Sequence, residues 1–232
     1  ERNNFVATVV YRRRGSQANL SKNISAIHDY ILIYQKTEGL QLNKIAANID
    51  EGAFKNPDND PRGPYVTMPT TNKGGSRYTV ITPTGKEIVN EWRFKRETYD
   101  KLANDNRLVF PSGGNGTPRY KLFLKDKKEQ GVIPSTWWDD AGNNQEATRE
   151  VASILGSGAF DFPKAEALMS KIITMSTNEN DIVLDFCLGS GTTSAVAHKM
   201  NRRWVGVEQM DYIKTVAKER LKQVIKGEQG GI

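Results

Sequence analysis

The chain has 232 residues, 33 lysines and arginines against 27 aspartates and glutamates, and a formal net charge of +6. That length buries one sizeable core, or one core plus a smaller module, and the positive balance suits an anionic partner. One cysteine, Cys187, excludes an internal disulfide, two histidines beside it are too few for a structural zinc site, and no apolar run is long enough for a membrane span. A reduced, cytoplasmic compartment is the expectation. The sequence opens on Glu1-Arg2-Asn3-Asn4, with neither an initiating methionine nor a signal-peptide pattern, and reads as a fragment.

Residues 5–11 (FVATVVY) are apolar and β-branched and predict a strand that runs into Arg12, Arg13 and Arg14. The polar Gly-Ser-Gln-Ala-Asn stretch that follows makes phosphate contact by these arginines as credible as a solvated strand end. Residues 30–34 (YILIY), introduced by His28 and Asp29, predict a second strand, apolar without alternation, as in a sheet covered on both faces. Both strands are expected in one core with those around the glycine loop described below. His28 reads as a packing or hydrogen-bonding residue.

From residue 37 to about residue 156 apolar residues thin out while proline, glycine and asparagine multiply. Short strand-like segments at 77–81, 91–94 and 120–124 are separated by turns at Pro83-Thr84-Gly85 and at 112–116, which predicts a smaller, loop-rich module inserted into the main fold. Arg93, Lys95 and Arg96 interleave with Trp92 and Phe94, and Lys121 and Lys125 flank Leu122, Phe123 and Leu124. This pattern fits cations on phosphates above an apolar core; an ordinary half-buried strand fits each segment alone, and only their sum favours nucleic acid. Trp137-Trp138-Asp139-Asp140 reads as a packing anchor where the module rejoins the core, rather than as base-stacking or acid-base machinery.

A helix is predicted over residues 144–155, with Ala147, Val151 and Leu155 on one face, and a second after Pro163, with Ala165, Leu168, Met169, Ile172 and Ile173 on one face. Lys164 would then sit at a helix N-terminus, a poor place for a cation unless an anion lies nearby. Next come Ile182-Val183-Leu184-Asp185, a turn forced by Gly189-Ser190-Gly191, helix-compatible residues from Thr192, and a strand over residues 204–207 ending in Glu208. Glycines at 189 and 191 permit positive φ and leave no side chain between loop and ligand, while the free amides at Thr192 and Thr193 attract a carboxylate or phosphate. Glu208 can accept two hydrogen bonds from a vicinal diol. The dinucleotide fingerprint wants glycine or alanine where Ser194 stands, and no Gly-Lys-Ser/Thr of a phosphate loop is present. S-adenosylmethionine (SAM), with a ribose and a carboxylate but no phosphate, fits better than NAD or ATP. Asp211 is expected to cap the last helix, whose buried stripe is Ile213, Val216, Ala217, Leu221 and Val224, with lysines and glutamates on its solvated face.

Val183-Leu184-Asp185 with Gly-Ser-Gly-Thr-Thr, then Arg202-x-Trp-Val-Gly-Val-Glu-Gln-Met-Asp-Tyr-Ile213 and Glu219-Arg220-Leu221, resembles the cofactor half of the DNA amino-methyltransferases whose glycine loop lies near the C-terminus. Glu208-Gln209-Met210-Asp211-Tyr212-Ile213 and the stretch 227–232 narrow the resemblance to the modification subunit of type III restriction-modification systems. It covers nearly the whole chain, most strongly from Phe160 onward and over residues 5–36. The resemblance implies an α/β fold: an incomplete Rossmann-like SAM-dependent methyltransferase sheet contributed by residues 1–36 and 157–232, with an inserted loop-rich α+β target-recognition domain over 37–156. It implies that Lys164 binds the methionine carboxylate and that Phe160 and Phe162 wall the pocket, although both aromatics also read as simple core residues. With Asp185, Gly189, Gly191, Thr192, Thr193 and Glu208 they form the expected SAM site.

The resemblance fails at one point that matters. The family holds its target base with Asp-Pro-Pro-Tyr, and that tetrapeptide is absent. Asp60-Pro61-Arg62-Gly63-Pro64-Tyr65 only echoes it: its prolines are not adjacent and no apolar strand leads into it. In the family's order the tetrapeptide precedes residue 5, so the sheet is expected to have a gap and the isolated chain to be inactive. A second departure is Cys187-Leu188, where the family usually has phenylalanine and a small residue; Cys187 is expected to be a buried small hydrophobe. The function implied is adenine-N6 methylation of a specific site in double-stranded DNA, by a bacterial, nucleoid-associated protein that forms a homodimer and joins a helicase-nuclease restriction subunit. The rivals are cytosine-N4 methylation, a DNA-binding or assembly module with a vestigial SAM site, and a nicotinamide-dependent oxidoreductase.

Overall fold

A computed structural model describes residues 4–17 and 23–232; residues 18–22 of the polar stretch after the arginine triplet lie outside it. The chain divides into two compact units, Glu1–Ile45 with Val132–Ile232, and Ala46–Gly131. The second unit is shorter than the 37–156 stretch singled out by composition, because Ile45 and Val132 bridge each other in the first unit and residues 144–155 form one of its helices.

In the first unit, β1 (Phe5–Arg12) pairs antiparallel with β2 (His28–Tyr34). The numbering passes through the second unit, so the next strand here is β8 (Trp137–Trp138), parallel to β1 at Val10 and Tyr11. Trp138 is 1% exposed and packs with Val9, Tyr11, Leu168 and Met175, the expected anchor, whereas Trp137 lies at the surface. Helix α3 (Asn144–Leu155) starts with a reciprocal cap: Asn143 Oδ1 accepts the Gln145 and Glu146 amides, and Glu146 Oε2 accepts the Asn143 amide at 2.9 Å. Asn143→Ala removes one half of this box and is expected to cost about 1 kcal/mol in a denaturation midpoint.

Helix α4 (Glu166–Ser176) buries Leu168, Ile173 and Met175, and its Met169 packs on two apolar clusters of the unit. It begins three residues after Pro163 rather than around it, because Lys164 precedes the helix and Ala165 is extended. Strand β9 (Ile182–Asp185), helix α5 (Thr192–Lys199) and strand β10 (Arg203–Gly206) form the expected unit, with β9 and β10 parallel and in register from Ile182–Arg203 to Asp185–Gly206. Asp211 opens a single 3-10 turn instead of capping the last helix; α6 (Ala217–Ile225) starts later, from Val216, with no side-chain cap. Val216, Ala217, Leu221 and Val224 are buried as expected.

The strands β2-β1-β8 and β10-β9 belong to two separate sheets, so β1 and β2 do not share one ladder with β9 and β10. This is a Rossmann-like α/β sheet in incomplete form. It also overturns the expectation of two covered faces. Tyr30, Leu32 and Tyr34 on β2 are exposed while Ile31 and Ile33 pack inward, and on β9 and β10 Ile182, Leu184 and Val205 are exposed while Val183 and Trp204 pack on α4 and α5. The strands are apolar on both sides, and the described residues cover one.

The second unit holds β3 (Tyr65–Pro69), the hairpin β4 (Thr71–Ile81) and β5 (Glu87–Trp92), α1 (Arg96–Asn104), β6 (Leu108–Val109), β7 (Arg119–Phe123) and α2 (Leu124–Gln130). Strands β3, β7 and β6 form one antiparallel sheet, and the turn at Thr82, Pro83, Thr84 and Gly85 closes the hairpin. Lys121, expected among the cations facing outward, is instead 5% exposed and sits 2.5 Å from Asp58 and 2.8 Å from Asp60. Asp60 is also bonded by Arg62, so the Asp60-Pro61 echo of a catalytic motif is a structural ion cluster. Hydrogen bonds from Arg62 and Lys121 hold the Asp60 carboxyl far below the usual carboxylate range, and that from Lys121 lowers Asp58. A depressed carboxylate contributes stability above its unfolded value of about 4 and loses it as pH falls through the folded value. The fluorescence of Trp92, the one tryptophan in Ala46–Gly131, is therefore expected to report constant stability around neutrality and a decline below about pH 4, shallower in Lys121→Met.

Candidate functional site

The loop after β9 is fastened at both ends by carboxylates. Asp185 Oδ1 accepts the Cys187 amide at 3.0 Å and its Oδ2 accepts the Thr193 hydroxyl at 2.6 Å, which ties the strand end to the first turn of α5. Glu208, just past β10, accepts the Gly189 amide on Oε2 at 2.9 Å and the Met210 amide on Oε1 at 3.1 Å. These two amides, Gly189 first, hold the Glu208 carboxyl below its ordinary range. The Tyr212 hydroxyl and the Gln209 amide also bond this carboxylate, so a ligand hydroxyl would have to share or replace one of these donors.

Gly191, with φ +82°, is the N-cap of α5, and no side chain caps that helix. The amides of Thr192, Thr193 and Ser194 thus lack an intrahelical acceptor and form an anion-attracting end. They open toward a cavity of about 370 Å³ lined by Phe160, Phe162, Lys164, Asp185, Gly189, Thr192 and Thr193 among others. Seven of the nine residues expected at a cofactor site are thereby brought together. The other two act differently. Glu208 does not line the cavity and acts on the loop through the Gly189 amide. Gly191 faces α6 rather than the cavity, with an added Cβ in ordinary contact at 3.4 Å from the Ala217 Cβ, and its φ of +82° is what favours glycine there.

The lining also departs from expectation in detail. Phe160 lies against the loop, with its ring edge 3.5 Å from where a Gly189 Cβ would be, and meets Tyr212 edge-on at 5.2 Å. Phe162 is 87% exposed at φ +60°, so it is no core residue. The Lys164 ammonium stands 3.6 Å from Asp29 Oδ2 on β2, and so already has a carboxylate from the chain itself. Cys187 is exposed at the cavity rather than buried. Tyr212 was not singled out from the sequence although it stands in the quoted Glu-Gln-Met-Asp-Tyr-Ile run; a hydrogen bond with Glu208 places it in the same cluster.

The candidate DNA contacts divide. In the first unit Arg12 folds back on the carbonyls of Arg14 and Gly15, and Arg13 lies 3.3 Å from Asp29, leaving Arg14 exposed with no side-chain partner among the described residues. In the second unit Arg93 and Lys95 are exposed, while Arg96 is spent on Asp100 at 2.9 Å and on the Thr79 carbonyl. Among the described residues no group of histidines, cysteines or carboxylates is arranged for a metal ion, and no helix is long and apolar enough to cross a membrane.

A family model described as DNA methylase matches residues 1–219. The Mod subunit of the type III restriction-modification enzyme StyLTI of Salmonella typhimurium is 32% identical over 206 residues, 85% of this chain and 31% of that protein. The probable HindVI Mod subunit of Haemophilus influenzae is 57% identical over 141 residues, 59% of this chain and 17% of that protein. The chain therefore spans about a third of the first and about a sixth of the second. The solved M1.HpyAVI–SAM complex shares 32% identity over 45% of this chain and 47% of that one, with a TM-score of 0.29, and no geometry is carried over from it.

Proposed function

The chain belongs to the N6/N4 DNA methylase family, and from that premise we propose that it is the cofactor-binding and target-recognition part of a DNA adenine-N6 methyltransferase, the modification subunit of a type III restriction-modification system. The observation that carries this reading is the uncapped amino end of α5 opening on a cavity walled by Phe160, with the carboxylate of Glu208 fastened at the end of the neighbouring parallel strand. That donor set fits SAM: amides for a carboxylate, an aromatic wall for an adenine, and an ionised acid for ribose hydroxyls. SAM supplies an electrophilic methyl group when bound. The residues of this chain bind and orient; Lys164 would exchange Asp29 for the methionine carboxylate. The unit Ala46–Gly131 serves as the target-recognition domain, with Arg93 and Lys95 on phosphates, and Arg14 contributes from the first unit.

None of the 232 residues forms the Asp-Pro-Pro-Tyr that holds an extruded base, so the base-binding chemistry belongs to the rest of the protein. Double-stranded DNA, a second copy of the protein and a restriction subunit are the proposed partners, in a bacterial cytoplasm at the nucleoid. The test is transfer of labelled methyl from SAM to duplex DNA, followed by nucleoside digestion. The whole protein is expected to yield N6-methyladenine and the 232-residue chain none. N4-methylcytosine would replace the adenine assignment, and transfer by the chain alone would refute its catalytic incompleteness. Salt-sensitive DNA binding by a protein indifferent to SAM would favour a recognition module with a vestigial site.

A further inference from the structure

Behind the glycine loop lies a charged cluster that makes none of the contacts proposed above. Glu166 and Arg220 are both 0% exposed. Arg220 Nη2 donates to Glu166 Oε1 at 2.8 Å, and its Nη1 donates to Thr192 Oγ1 at 2.9 Å and to Ser190 Oγ at 3.4 Å. Thr192 gives its one hydroxyl proton to the Lys164 carbonyl at 3.2 Å, so in the 3.1 Å contact between the two hydroxyls Ser190 is the donor. Both loop hydroxyls therefore have a fixed orientation, and a single guanidinium sets it.

The cluster continues away from the loop. The second oxygen of Glu166 accepts from Lys199 Nζ at 2.8 Å, and that ammonium, at the end of α5, also meets the Glu228 carboxylate at 3.0 Å and the Gly230 carbonyl. Gly231 follows at φ +94°, so close that a Cβ would stand 2.5 Å from Glu166 Oε2. Residues 228–231 thus close over the buried acid.

A buried ion pair is a poor way to gain stability, because apolar side chains of similar volume pack the same space without desolvating two charges. What they cannot do is donate to Ser190 and Thr192. We infer that Arg220, aimed by Glu166, is a positioning residue for the cofactor loop: it fixes the two hydroxyls so that the amides opening α5 converge before ligand arrives. This rests on the SAM reading of the cavity and adds a determinant outside it.

The test uses the 232-residue chain carrying Glu166→Met with Arg220→Met, and separately Ser190→Ala with Thr192→Val, which leaves the ion pair in place and removes both hydroxyls, with the Thr192 bond to the Lys164 carbonyl. Three quantities are read: melting temperature, hydrogen exchange of the Gly189 and Gly191 amides without ligand, and SAM affinity by calorimetry. The expected result in both variants is exchange faster by roughly tenfold and affinity weaker by roughly tenfold, with the melting temperature unchanged or raised in the methionine pair and lowered in the hydroxyl pair, which leaves the buried guanidinium without acceptors. Exchange and affinity within about twofold of the parent in a folded variant would overturn the inference. If the methionine pair does not fold, the hydroxyl pair decides alone. A parent chain that fails to bind SAM would refute the cofactor reading, while the exchange comparison would still decide whether Arg220 orders the loop.

Discussion

Glu208→Ala is expected to weaken SAM binding by roughly 10- to 100-fold, the effect of removing a charged hydrogen-bond acceptor from a binding site. Two losses combine. In the proposed function the carboxylate accepts from ribose hydroxyls, and it also fastens the Gly189 amide at 2.9 Å, so alanine frees the loop as well. Glu208→Gln separates them: an amide oxygen still accepts from Gly189, but the charge and one acceptor are gone, and an intermediate loss is expected. Because backbone amides lower the Glu208 pKa, the group is ionised throughout the neutral range. Its contribution is present above the unfolded value of about 4.3 and lost as pH falls through the folded value, so affinity in the parent is expected to be flat from pH 6 to 8. Calorimetric titration of the three proteins measures this.

Trp92→Ala is expected to destabilise the unit Ala46–Gly131 by about 3–5 kcal/mol, enough to unfold a marginal module. The indole is 0% exposed, stacks on Tyr78 at 5.7 Å, meets Tyr99 at 5.8 Å, and donates its Nε1 proton to the Tyr78 carbonyl at 2.7 Å. Val80 completes the buried cluster, with Ile88, Leu108 and Phe110 packed around it. Alanine leaves a cavity and removes the hydrogen bond to the Tyr78 carbonyl, and no other large side chain of this cluster is fully buried. Circular dichroism of urea unfolding would detect the loss. A change below about 1 kcal/mol would mean that the cluster collapses around the vacancy, contrary to the packing of three rings on one another.

The parts legible in the sequence were those where a local rule and the tertiary fold agree. The four-residue spacing of Ala147, Val151 and Leu155 announces α3, and apolar runs on either side of Gly189-Ser190-Gly191 announce β9, α5 and β10 because nothing else satisfies that spacing. Where a residue's partner is distant in sequence, the local rule misled. Pro163 suggests a helix start, but Phe162 at positive φ and extended Ala165 delay α4 to Glu166. Nothing in the local pattern of α6 marks Arg220 as buried, because its partner Glu166 is 54 residues away. Lys121 looks like a phosphate ligand until Asp58 and Asp60 are seen to bury it. The two-sided apolarity of β2, β9 and β10 describes a covered sheet correctly in composition, yet one face has no cover within the described residues. In the cofactor loop, residue types reported which side chains gather, while only the structure showed that Gly191 faces Ala217 and that Lys164 is already paired with Asp29.

The most direct measurement is an amide NMR titration of the 232-residue chain with SAM, run beside one with NADH. The account predicts saturable shifts with SAM at residues 160–164, 187–193 and 208–212, none in Ala46–Gly131, and no saturable response to NADH. A folded chain whose loop amides at Gly189, Thr192 and Thr193 do not move with SAM, or move with NADH instead, would contradict the assignment of this cavity as the cofactor site.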